Sequence, residues 1–217
     1  MISRVIIVDD HPIFRMGMGE LLNQEDDFDV CGLAEDIASA RKIIGAQAPD
    51  LAIVDITLAG DNGLDLVKEM SAENKAMLIL VLSMHEEQVW AERAIRAGAR
   101  GYIMKKEASE NVISALRNIR TGKIHVSEAI MERLLDRLQM QPDTSATAPT
   151  VDLLTDRELE VFRLIGGGLT TREIAERMKL GVKTIGTYRD RVKQKLSIKT
   201  ASELTRRAVL WTEKEFS

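Results

Sequence analysis

Five short apolar runs punctuate the first half of the chain, and none alternates with polar residues: "RVIIV" (4–8), "DVCGLA" (29–34), "LAIVDI" (51–56), "MLILVLS" (77–83) and "GYIMK" (101–105). Between and after them, apolar residues recur every three or four positions over 13–22, 36–46, 62–71, 86–97 and 107–120. Continuous apolar strands alternating with amphipathic helices predict an α/β fold, a five-stranded parallel sheet covered on both faces. Ligands of such doubly wound sheets bind beyond the carboxyl ends of the strands, where the strand order reverses.

The pattern changes after residue 138. "QMQPDTSATAPTVD" (139–152) has two prolines, four Ser or Thr residues and little that can pack, which marks a linker. Beyond it the chain reads as helix only. Three T-x-x-E boxes, Thr155/Glu158, Thr170/Glu173 and Thr200/Glu203, predict helix starts near 156, 171 and 201, with Leu154 and Leu159 as a hydrophobic staple on the first. Between the last two boxes a short turn (Lys179–Gly181) leads into a helix reaching Leu196, whose Val182, Ile185, Val192 and Leu196 are spaced to face inward. A capped short helix, a tight turn and a second helix have helix-turn-helix proportions.

Composition sharpens this division. Apolar residues make up 45% of the 217 and charged residues 29%, but aromatics only 4%, so aliphatic side chains must build the cores. The net charge of −4 is uneven: residues 1–149 hold 16 Lys and Arg against 24 Asp and Glu, and residues 150–217 hold 14 against 10. A basic final third suits a polyanion. Residues 183–199 alone carry six Lys or Arg and one Asp. Such a helix can be merely a solvated face, but behind a tight turn it predicts a recognition helix for double-stranded DNA, with Lys183, Thr184, Gly186, Thr187, Arg189, Asp190, Arg191 and Lys193 as candidate contacts. The single cysteine, Cys31, reads as a small buried hydrophobe in a reducing compartment. With no long apolar run and an N-terminal "MISRVIIV" too short for a signal peptide, the expectation is a cytoplasmic protein with no membrane contact.

The candidate chemistry sits at the strand ends. Asp9 and Asp10 follow the first strand, Asp55 ends the third, Ser83 the fourth and Lys105 the fifth. Taken singly, a strand-end Asp is usually a solvated turn and a Lys a surface charge. Together, on one edge of a parallel sheet, three carboxylates need neutralising, and an oxygen-rich pocket suits Mg²⁺. A carboxylate beside Mg²⁺ can attack phosphorus to give an aspartyl phosphate, with Lys105 matching the added charge and Ser83 donating a hydrogen bond.

"VIIVDDHPIFRMGM", "LAIVDITLAGDNGLDLV", "LVLSMHEEQ" and "ARGYIMKKEA" resemble the receiver domain of two-component response regulators. That resemblance implies a flavodoxin-like fold with Asp55 as phosphoacceptor for a sensor histidine kinase. It also implies Mg²⁺ held by Asp9, Asp10, Asp55 and the main-chain carbonyl of Thr57, Ser83 and Tyr102 at the switch positions, and Lys105 as phosphate partner. Leu58-Ala59 departs from the family's frequent Met-Pro, which frees the loop after Asp55. His11 is expected in a loop or helix-cap role ahead of a metal-ligand one, and His85 at the border of the phosphoryl pocket. Residues 150–215 resemble the LuxR-type helix-turn-helix of NarL/FixJ-family regulators in Glu158, Gly166–Gly168, Ile174-Ala175, Lys183-Thr184-Ile185 and Lys195-Leu196. Gly181 stands where that pattern has serine, and Gly186 and Asp190 fall at base-facing positions, so a base preference does not carry over from relatives.

The resulting expectation is a receiver at 1–125, a linker at 126–150 (helical, then flexible) and a DNA-binding domain at 151–217. Such a chain is a phosphorylation-dependent transcriptional regulator, not an enzyme, which dimerises on two half-sites through a final helix near 201–213. Two rivals start from the same residues. An aspartyl-nucleophile phosphatase of the haloacid dehalogenase type would need its second acid two positions after a first-strand nucleophile, where this chain has His11. A phosphorylation-independent regulator or adaptor with a vestigial pocket would not need the acid, serine and lysine set.

Overall fold

The computed structural model describes residues 2–58, 61–84, 87–139 and 151–215. The chain divides into two compact units, Met1–Met140 and Gln141–Ser217.

In the first unit β1 (Ser3–Val8), β2 (Phe28–Ala34), β3 (Leu51–Asp55), β6 (Leu78–Ser83) and β7 (Gly101–Met104) form one parallel sheet in the order β2-β1-β3-β6-β7. The helices α1 (Pro12–Asn23), α2 (Ile37–Gln47), α3 (Gly63–Glu73), α4 (Glu87–Ala97) and α5 (Ala108–Arg120) connect them. The unalternating runs have the predicted consequence: Val5 to Val8, Ala52, Val54 and Ile79 to Leu82 are wholly buried, because both faces of the sheet are covered. The order is the flavodoxin-like one, and its direction reverses between β1 and β3. β2 pairs with β1 through a bulge at which Val5 opposes Val30 and Ile6 opposes Gly32. Cys31 is the extra residue, half-buried, with its thiol donating to the Val5 carbonyl at 3.4 Å; it is a bulge residue rather than a core one.

Two elements escape the sequence reading. A two-residue ribbon, β4 (Thr57–Leu58) with β5 (Asp61–Asn62), follows Asp55. After α5, the segment around His125 adds to the outer edge of β7: Tyr102 N–H donates to the His125 carbonyl (2.8 Å) and His125 N–H to the Arg100 carbonyl (2.9 Å). Ser127 N–H then donates to Glu87 Oε1 (2.7 Å), and α6 (Glu128–Gln139) packs on α4 with Ile130 buried.

The second unit holds α7 (Asp156–Gly166), α8 (Thr171–Arg177), α9 (Val182–Lys195) and α10 (Ala201–Glu215). The first two boxes form in full: Thr155 N–H meets Glu158 Oε2 at 2.8 Å and Thr170 N–H meets Glu173 Oε2 at 2.8 Å, each glutamate N–H returning to the threonine hydroxyl. At the third, Thr200 Oγ1 accepts from Glu203 N–H, but Glu203 Oε2 reaches one residue further back, to Lys199 N–H. α7 and α10 cross so closely that a Cβ on Gly166 would lie 2.0 Å from Thr212 Oγ1, which makes this glycine a packing requirement.

Candidate functional site

β1, β3, β6 and β7 end together, and the polar residues that follow them converge at the edge where the strand order turns. Asp9 (1% exposed) and Asp55 (2%) are buried just beyond β1 and at the end of β3. Lys105 begins a 3₁₀ turn (Lys105–Glu107) immediately after β7. Its Nζ lies 2.6 Å from Asp9 Oδ2 and 2.7 Å from Asp55 Oδ2, a buried ammonium shared by two buried carboxylates. The same Nζ also stands 4.7 Å from the centre of the Phe14 ring.

Asp55 Oδ1 accepts from Thr57 N–H at 3.2 Å and Oδ2 from Lys105 Nζ at 2.7 Å. Burial, opposed by the Lys105 ammonium and reinforced by Asp9, pushes the Asp55 carboxyl up to about 6. Asp10 is half-buried. Its Oδ1 is shielded from solvent and accepts no hydrogen bond among the described residues, although His11 Nδ1 stands 2.8 Å away. His11 occupies the N-cap position of α1 without a side-chain cap, and its N–H donates to Asp9 Oδ1 at 2.9 Å.

Oxygen or nitrogen ligand atoms of Asp9, Asp10, His11 and Asp55 all lie within 4.8 Å of one another. Three carboxylates, one with an oxygen left unsatisfied in a desolvated place, match the hard, oxygen-seeking coordination of Mg²⁺. Ser83 is fully buried one residue beyond Leu82, the register partner of Asp55, and Tyr102 is buried on the neighbouring strand opposite Val81. His85 and Ala59 lie outside the described residues.

Three residues not singled out by sequence shape this site. Phe14 covers the lysine, and the Arg15 guanidinium holds the Asp9 carbonyl. Gly63 begins α3 with its N–H on the Ile56 carbonyl (2.7 Å), and a Cβ there would lie 1.9 Å from the Asp55 carbonyl oxygen. The "DNG" turn at 61–63 was the available signal for Gly63. Nothing in the local pattern marked Phe14 or Arg15.

In the second unit, Ile185, Val192 and Leu196 are buried against α7 and α8, as their spacing requires. Val182 is not. It is 52% exposed at the first position of α9, three residues before the fully buried Ile185. Gly181 caps the helix without a side-chain bond. Lys183, Thr184, Thr187, Asp190 and Arg191 are exposed, whereas Gly186, Arg189 and Lys193 are half-buried. Two of the basic residues are engaged: Lys193 pairs with Asp190 (2.8 Å), and Lys195 reaches back to the buried Glu158 (2.7 Å). Burial pushes the Glu158 carboxyl up, but Lys195 and the Thr155 cap outweigh it and hold the group below its ordinary range.

Comparison with known proteins agrees with both halves. Residues 5–117 match the response regulator receiver domain family, and residues 152–208 match the bacterial regulatory proteins of the luxR family. The chain is 30% identical over 209 residues to the oxygen regulatory protein NreC of Staphylococcus carnosus, covering 95% of this chain and 96% of that one. The NreC of Staphylococcus epidermidis is 29% identical over 210 residues, with the same coverage. Among solved structures, the RcsB response regulator of Salmonella typhimurium superposes with a TM-score of 0.56 at 25% identity, over 96% of this chain and 98% of that one. A LuxR-family two-component response regulator from Aurantimonas sp. gives 0.58 at 28% identity, over 64% of this chain and all of that one.

Proposed function

The chain belongs to the two-component response regulators, a receiver joined to a LuxR-type helix-turn-helix, and from that premise we propose that phosphorylation of Asp55 controls its binding to DNA. The observation that carries this reading is Lys105 Nζ held at 2.6 and 2.7 Å from Asp9 and Asp55, beside a desolvated Asp10 oxygen that accepts no hydrogen bond among the described residues. The division adopted is receiver 1–125, linker 126–150 and DNA-binding domain 151–217.

A sensor histidine kinase is the donor. An Asp55 oxygen attacks the phosphorus of the kinase's phosphohistidine, the P–N bond breaks, and the imidazole leaves with the electron pair. Asp9, Asp10, Asp55 and the Thr57 carbonyl would hold Mg²⁺, which supplies charge withdrawal from the phosphoryl oxygens. Lys105, released from Asp55 as that carboxylate becomes an acyl phosphate, moves its hydrogen bond to a phosphoryl oxygen. Thr57 N–H remains on the Asp55 side and fixes the acceptor's orientation. The Ser83 hydroxyl donates to the same group, and Tyr102 follows it, biasing the edge formed by α4, β7 and α5. This is a single-turnover switch, not an enzyme with steady product release.

RcsB is described in complex with promoter DNA and as dimers bound to DNA, at 23–24% identity to this chain. For this protein we assign the same class of partner, promoter half-sites read by a homodimer, with the exposed part of α10 around Leu210 as the dimer surface. Among the described residues no helix is long and apolar enough to cross a membrane, in keeping with a cytoplasmic regulator. The test is DNA binding by the full chain with and without beryllofluoride and Mg²⁺. Wild type should bind more tightly when treated and Asp55→Asn should not respond; equal responses would refute the phosphorylation control.

A further inference from the structure

The exposed face of α9 carries one residue whose charge is wrong for a polyanion. Lys183, Thr187, Asp190 and Gln194 lie at helical positions i, i+4, i+7 and i+11, flanked by Thr184 and Arg191, and all six are exposed. Asp190 stands in the middle of this face with its side chain 74% exposed. Lys193, one turn on, lies 2.8 Å from its Oδ1 and offsets part of the repulsion a phosphate backbone would impose.

We propose that Asp190 is a specificity-determining residue that selects a C·G pair by accepting a hydrogen bond from the cytosine N4 amine. The inference rests on the reading of α9 as the helix that enters the major groove. A carboxylate is only an acceptor, so it needs a donor on the base edge. Guanine presents two acceptors in the major groove and thymine an acceptor and a methyl group. Adenine sets its amine beside the N7 acceptor, which a carboxylate repels. Cytosine alone offers an amine with no acceptor next to it on the same base. Thr187, the other polar residue at the centre of the face, already donates its hydroxyl to the Lys183 carbonyl at 3.1 Å.

Gly186 makes room for this contact. A Cβ there would meet nothing within 4 Å, so the fold does not require glycine in the middle of the helix, where it weakens helix formation. The missing side chain lets a base pair come close to the helix one turn before Asp190, within reach of a side chain as short as aspartate.

Selection of a randomised duplex library by the full chain at low salt, with beryllofluoride and Mg²⁺ present, followed by sequencing, tests this. Wild type should enrich a motif with one column about tenfold in favour of cytosine. Asp190→Asn should turn that column toward adenine, since an amide can pair with adenine N6 and N7, while its affinity for unrelated duplex rises with the lost negative charge. Gly186→Ala should melt a few degrees higher and bind the wild-type motif more weakly. An Asp190→Asn motif identical to wild type overturns the proposal. So does Gly186→Ala with unchanged affinity, because the close approach is then absent. A wild-type chain that enriches nothing overturns the DNA reading itself, a result distinct from either.

Discussion

Asp55 is ionised at neutral pH in a place that favours its protonated form, so neutralising it should stabilise the metal-free protein. Raising a carboxyl from its ordinary 3.8 to about 6 corresponds to about 3 kcal/mol against the charged form. Asparagine keeps an acceptor for Thr57 N–H and leaves Lys105 its bond to Asp9, so Asp55→Asn should gain about 2–3 kcal/mol in EDTA at pH 7.5. The sign follows from proton binding: the folded acid holds its proton to higher pH than the unfolded one, so wild type gains stability as pH falls from about 6 toward 4. The advantage of the variant should therefore shrink toward zero by about pH 4. The two tryptophans, Trp90 in the first unit and Trp211 in the second, make this measurable. In a Trp211→Phe background, Trp90 fluorescence during urea unfolding reports the receiver alone. Saturating Mg²⁺ should narrow the gap, adding about 2.7 kcal/mol to wild type at a hundredfold excess over its dissociation constant and less to the variant. An Asp55→Asn protein no more stable than wild type at pH 7.5, or a difference that does not change with pH, would refute the reasoning.

Four further outcomes follow from the same coordinates. Lys105→Met leaves Asp9 and Asp55 buried without their shared cation and should cost about 3–5 kcal/mol in EDTA, read by the same Trp90 unfolding. Glu158→Gln removes the charge that ties α7 to Lys195 of α9 and should cost the second unit about 1–3 kcal/mol, followed through Trp211; because that carboxyl is held low, its contribution is present at neutral pH and is lost as pH falls through its folded value. Gly63→Ala drives a methyl into the Asp55 carbonyl, so it should displace the 57–62 ribbon and slow phosphorylation at least tenfold in a kinase transfer assay, roughly the cost of a small misplacement of reacting groups. Glu87→Ala frees Ser127 N–H and should speed amide exchange at Ser127 and Tyr102 about fivefold, since the first bond ties the 124–127 segment to α4 and the second ties it to β7.

The sheet was legible because burial on both faces leaves no polar alternation, and strands at 4–8, 29–34, 51–56, 77–83 and 101–105 fall within a residue or two of the observed ones. The closeness of Asp9, Asp10, Asp55 and Lys105 was legible for the same reason, since parallel strands place their carboxyl ends on one edge. Contacts made across the fold by unremarkable residues were not. Phe14 and Arg15 sit in the first turns of α1 with no pattern to mark them, and Gly63 acts through its missing Cβ. Val182 matched the inward stripe of α9 yet is exposed, because helical spacing says which face a residue shares and not whether a partner extends that far. Charge counting likewise overstates the free cations of α9, as Lys193 and Lys195 are already paired within the unit.

The central claim is that an ammonium and an oxygen-rich pocket make one buried carboxylate a reversible phosphoryl acceptor. Intact-mass measurement of the full chain after incubation with a phosphorylated histidine kinase and Mg²⁺ tests it most directly. A single addition of about 80 Da (one phosphoryl group), abolished in Asp55→Asn and lost on hydroxylamine treatment as an acyl phosphate should be, is the predicted result. An unmodified wild-type chain, or the same addition persisting in Asp55→Asn, would contradict the account.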